Sequence, residues 1–135
     1  MKKDELNPKL ILAVSLLHMA NANGEIANEQ MMYLLTVLHG DNKLISQANK
    51  YIKKSIQIGR TLQDFLDEAK DLICDEQKEF IVINMIDIML SDSNCDVHEE
   101  RLLGFYLDSF NFDEEKYLNY KSMIYKKNNY DLFDL

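Results

Sequence analysis

Two stretches of the chain, 10–20 and 80–90, are apolar on nearly every side. Helices of that kind lack the polar face of a surface element and belong in the middle of a bundle. They predict central helices over about 8–21 and 76–91. Elsewhere apolar positions recur three and four residues apart between polar ones, the pattern of helices with one wet face. The punctuation agrees. Asn7-Pro8 is a helix start, with proline tolerated at the first helical position. A second helix begins near Asn28 and stops at Gly40, a natural residue for the left-handed position after a helix. A third covers about 42–58 and ends at Gly59. Thr61 with Asp64 three residues on makes a capping box for a fourth, and Asp75 is read as the cap of the fifth. A sixth covers about 98–110. Asp113 caps a seventh, which ends near Lys127, where Lys126 and Lys127 meet the negative end of its dipole. The expectation is an all-α bundle of roughly seven helices.

The chain also resembles itself. Shifted by 71 positions, Leu10-Ile11-Leu12 lies over Ile81-Val82-Ile83, and Asn23-Gly24-Glu25-Ile26 lies over Asn94-Cys95-Asp96-Val97. Met31, Met32 and Leu34 then fall on Leu102, Leu103 and Phe105. The pattern implies an internal duplication, with half-repeats over about 8–40 and 79–111 and a tail over 128–135, all within a single domain, 1–135. A pseudo-twofold axis between the halves would bring the acidic loops 21–29 and 92–100 near each other.

Composition narrows the partners. The 135 residues include one proline and four glycines, too few breakers for a many-turned β protein, and 47% are apolar. The net charge is −8. A field of that sign repels phosphate backbones and anionic lipid, so the expected partner is another protein, not nucleic acid or a membrane surface. Lys43, Lys50, Lys53, Lys54 and Arg60 read as one solvated helix face. Two cysteines make no disulfide framework and fit a reducing, cytoplasmic compartment. Lys2, Lys3 and the apolar run after them imitate an export signal. Asp4, Glu5, Pro8 and the recurrence of that run argue for a folded helix instead. No apolar stretch reaches the roughly 20 residues of a membrane span.

Both acidic loops invite comparison with a calcium-binding EF-hand, which needs oxygen ligands at positions 1, 3 and 5, glycine at 6 and a glutamate at 12. With Gly24 at position 6, Asn21 and Asn23 fit, while Met19 and Gln30 stand where carboxylates are required. In the second loop Asp92 and Asn94 fit, while Leu90, Cys95 and Arg101 do not. A looser site remains open: Glu25 and Glu29, Asp96 and Glu100, and Asp92 could supply carboxylates to a divalent cation such as Ca²⁺. The simpler reading is that acids in a first turn favour the positive end of the helix dipole.

Other polar residues are few. Cys95 and His98, three apart, lack the second ligand pair a zinc site needs, and Cys74 reads as packing. His18 and His39 read as satisfied core or boundary residues rather than ligands. Asn84 and Asp87 interrupt the apolar helix over 76–91, as a polar groove or as its one wet edge. With His18 they are the place an unrecognised enzyme site would occupy. Phosphate-loop, Ser–His–Asp and HExxH patterns are absent from the sequence, and no cofactor is expected apart from that cation. In the tail, Tyr130, Leu132 and Phe133 alternate with aspartates. Such a segment either folds back on the bundle or docks in a partner's groove.

The stretches Ala20-Asn21-Ala22-Asn23-Gly24-Glu25-Ile26-Ala27-Asn28-Glu29 and Ser91-Asp92-Ser93-Asn94-Cys95-Asp96-Val97-His98-Glu99-Glu100 resemble the acidic inter-helix motif of the TerB-like, tellurite-resistance family. The resemblance implies a duplicated all-helical bundle, a bacterial cytosolic setting, and a non-enzymatic role in stress response or protein docking. Family acids proposed to bind metal match Glu25, Glu29, Asp96 and Glu100. The family's aspartate before glycine is Asn23 here and Asn94 in the second loop, which also lacks the glycine. Three functions are thus expected in turn: an interaction module, a cation-binding module built on the paired loops, or an enzyme with its site around the helix over 76–91.

Overall fold

The computed structural model describes residues 6–22, 24, 26, 28–91 and 97–134. These residues form seven α-helices: α1 Pro8–Ala20, α2 Asn28–Val37, α3 Asn42–Gln57, α4 Leu62–Ala69, α5 Asp75–Met89, α6 Val97–Ser109 and α7 Glu114–Lys127. A short 3₁₀ turn, Tyr130–Asp134, comes after α7. No strand occurs among the described residues, and none of their helices is long and apolar enough to cross a membrane.

The local chemistry explains the boundaries. The Asn7 side chain accepts from the Leu10 N–H at 3.0 Å, and Pro8 opens α1. Asp41 and Asp113 cap α3 and α7 in the same way. Thr61 and Asp64 close a reciprocal capping box at α4. Two expectations need correction. The residue capping α5 is Cys74, whose N–H is taken by Gln77, while Asp75 is already helical; Cys74 is therefore exposed, not packed. At the end of α2 Gly40 is left-handed as expected (φ 70°), but His39 before it is left-handed too (φ 57°) and takes the first such position, with the Gly40 N–H returning to the Leu35 carbonyl at 2.7 Å. This is a Schellman stop. Gly59 and Asn111 hold the same left-handed position after α3 and α6.

As expected, α1 and α5 lie at the centre. They pack on each other, with α3 against α1 and with α6 and α7 against α5. Their buried side chains form one cluster with Leu34, Leu66, Leu103 and Tyr106. Between α2 and α6 the burial pattern departs from the expected register. At an offset of 71, buried Leu34 would pair with Phe105, which is 46% exposed, and exposed Met32 would pair with buried Leu103. At an offset of 69, burial in α2 and α6 coincides. Gln30 then pairs with Glu99 and Leu34 with Leu103, and all four are buried. Gln30 and Glu99 also touch: the Gln30 amide donates to the Glu99 carboxylate at 3.2 Å. Positions equivalent under the offset meet each other, as they do where a twofold axis passes between two elements. In α1 and α5 the offset of 71 keeps buried on buried at Leu10 and Ile81, Ile11 and Val82, and Leu17 and Ile88, so the shorter offset is confined to the α2 and α6 pair.

Candidate functional site

The groove is built where four helix ends converge. On α3, Tyr51, Ile52, Ser55 and Ile56 present one face. The stop at Gly59 then reverses the chain, and the capping box at Thr61 starts α4 at once, so that Leu62 and Phe65 stand opposite that face. The last turn of α1 supplies His18 to the floor. The first turns of α6 supply His98, Arg101, Leu102 and Phe105 to the far wall. The open groove has a volume of about 380 Å³, near the lower end of the roughly 300–1,000 Å³ usual for ligand pockets. Aromatic edges set its floor, with Phe65 meeting His18 at 5.5 Å and Tyr51 at 6.0 Å between ring centroids.

The rim holds two arginines in a chain that is acidic overall, Arg101 and an Arg60 paired with Glu68. Arg101 is exposed on α6. The Arg60 guanidinium donates to Glu68 at 2.8 Å and to the Asp64 carbonyl at 3.2 Å. Its Nε is buried without an acceptor among the described residues. An unmatched buried donor costs about 1–3 kcal/mol, and an acceptor entering the groove would relieve part of that.

Below the rim, His18 Nδ1 lies 2.9 Å from the Tyr106 hydroxyl, which is fully buried. Burial lowers the His18 pKa to about 4 and raises that of the Tyr106 phenol. His18 is therefore neutral near pH 7. With one shared proton between ring nitrogen and phenol, the pair is a satisfied polar contact within the core.

Asn84 and Asp87 lie elsewhere. Asp87 is 7% exposed, so it is no wet edge. The Tyr33 hydroxyl sits 2.7 Å from Asn84 Oδ1 and 2.8 Å from Asp87 Oδ2. At the end of α7, Lys127 Nζ and the Asn128 amide each donate to the Asp87 carboxylate at 2.8 Å. Burial alone would push the Asp87 pKa up, but bonds from Asn128, Lys127 and Tyr33 outweigh it and hold the carboxyl below its ordinary value. Burial and the neighbouring Asp87 raise the Tyr33 phenol. Neither Asn84 nor Asp87 lines the groove that His18 lines, so these three residues do not form one site.

The remaining expected site residues divide. Glu29 is exposed in the first turn of α2. Glu100 is exposed on α6, 3.8 Å from Lys121. Glu25, Asp92 and Asp96 lie outside the described residues, as does Cys95. Among the described residues no three His, Cys, Asp or Glu side chains are grouped to hold a metal. Tyr130, Leu132 and Phe133 are all exposed; the rings of Tyr130 and Phe133 face each other at 6.2 Å, and the segment does not fold back into the core.

Two features went unread in the sequence. Glu99 is the buried acid of the second motif, and its signal was present: the core stripe Phe110, Tyr106, Leu103 runs back by steps of four and three onto Glu99, as Leu38 and Leu34 run back onto Gln30. The groove itself had no sequence signal, because its walls come from four separate helices. Comparison with protein-family models, with curated proteins and with solved structures finds no match to this chain.

Proposed function

We propose that this chain is a non-catalytic helical docking module of the TerB-like kind, and that the groove between α1, α3, α4 and α6 is where a partner protein's segment binds. The observation that carries the reading is the groove's make-up: an aromatic and aliphatic floor beneath a rim holding Arg60 and Arg101, in a chain of net charge −8. An apolar floor supplies affinity, and a rim opposite in sign to the rest of the molecule supplies orientation and selectivity. What favours binding over catalysis is the state of the groove's polar groups. A general base works best with a pKa near the working pH, whereas burial lowers that of His18 to about 4, and its Nδ1 meets a buried phenol. No carboxylate lines the groove among the described residues. The cytosolic, stress-linked setting rests on the motif resemblance alone.

A displayed random-peptide library selected on the full chain tests the reading. The expected result is a family of peptides whose binding is lost in Phe105→Glu and Arg101→Glu while both variants melt like the parent. Failure to enrich any peptide, or enrichment indifferent to both substitutions, would sink it.

A further inference from the structure

We infer that the groove receives the Tyr130–Asp134 segment of a second copy of this chain, so that two copies pair by exchanging these segments. The inference rests on the docking reading and names its occupant. The segment has the chemistry the groove lacks. Tyr130 and Phe133 are 79% and 84% exposed, Leu132 is exposed beside them, and Asp131 and Asp134 are the only charged residues among the five. Apolar side chains with acidic neighbours match an apolar floor with a basic rim, and α3 adds exposed Lys50, Lys53 and Lys54 on the same helix that forms one wall. The segment is already wound into a 3₁₀ turn, its Leu132 N–H reaching the Asn129 carbonyl at 3.3 Å, so less chain entropy is lost on docking.

In its own chain the segment is not seated in the groove. Asn128 is fixed on Asp87, and none of that cluster's members, Tyr33, Asn84, Asp87 or Lys127, contributes to the groove. The segment thus leaves its own chain from a different polar cluster, with its rings exposed. A tail-to-groove contact is heterologous by itself; when two copies exchange tails it closes into a twofold pair, without open surfaces left to propagate.

The test is the mass of the full chain by sedimentation, from micromolar to several hundred micromolar, at low and high salt. The expected result is a monomer–dimer equilibrium at both salts, since salt screens the rim contacts and also the repulsion between two copies of net charge −8. Phe133→Ser is expected to weaken pairing by about tenfold or more, as loss of an aromatic anchor does; Phe133 touches no core, so its replacement leaves the melting curve of the monomer unchanged. Arg101→Glu is expected to weaken it likewise, and Asp131→Arg with Asp134→Arg to restore it in the Arg101→Glu background. A chain that stays monomeric at every concentration overturns the inference, as does a dimer indifferent to Phe133→Ser. If the chain is monomeric while displayed peptides still bind the groove, only the self-pairing fails and the docking function stands.

Discussion

His18 and Asp87 occupy the same place in the two central helices, each two residues before the last residue of its helix and 69 positions apart. Each meets a tyrosine from the opposite half of the chain: His18 meets Tyr106 of α6, and Asp87 meets Tyr33 of α2. The two ends then part. At Asp87 the charge is kept, because Lys127 and Asn128 bring α7 down over it and supply the donors a buried carboxylate needs. At His18 the charge is given up, and above it the walls of α3, α4 and α6 stand apart and leave the groove. A repeated polar–tyrosine contact ties the halves together, and what is packed over each copy decides whether that end becomes a closed clamp or an open site.

The largest effect should come from breaking the clamp. Asp87→Ala removes the acceptor of the Lys127 and Asn128 donors and one of two acceptors beside the Tyr33 hydroxyl, and is expected to cost about 2–3 kcal/mol in urea unfolding at pH 7. A cost below about 1 kcal/mol would mean that the carboxylate is not the centre of that contact.

The groove end should show its difference through pH. An unfolded histidine binds a proton near pH 6.5, whereas folded His18 resists it until about pH 4. Between those values the unfolded chain holds more protons, so stability falls as pH drops from about 6.5 toward 4, by up to about 3 kcal/mol. His18→Phe should flatten this slope in a series of unfolding curves; an unchanged slope would place the acid sensitivity elsewhere. Asp87 acts in a lower window, since its depressed pKa gives stability that is present above its ordinary value of 3.8 and lost only as pH falls further.

The two tyrosines should differ less. Tyr106→Phe removes the hydroxyl that meets His18 Nδ1 in a fully buried setting and is expected to cost about 1–2 kcal/mol. Tyr33→Phe should cost less, because Asp87 retains two donors. The reverse order in thermal melts would contradict the picture of a well-supplied clamp and a sparsely supplied groove floor. Smallest of all should be Lys127→Met. The Lys127 side chain is more than half exposed, and ion pairs of that kind contribute roughly 0–1 kcal/mol.

Sequence alone determined the all-helical fold, the two central helices and most helix ends, because these arise from near-neighbour physics. An all-round apolar run has nowhere to go but the core, and a cap such as Thr61 with Asp64 is satisfied within four residues. It misplaced the stop of α2 by one residue, since His39 takes a left-handed conformation usually left to glycine. The 71-residue likeness keeps buried on buried in the central helices, as Leu10 with Ile81 and Ile11 with Val82, while burial in α2 and α6 follows an offset of 69. The tertiary structure alone decided what Asp87 and His18 became. Their partners stand 40 or more positions away, and a polar residue in an apolar helix carries no local mark of the donor that will reach it. The groove belongs to the same class of fact: four helix ends meet there, and their meeting is a property of packing, where no single segment records it.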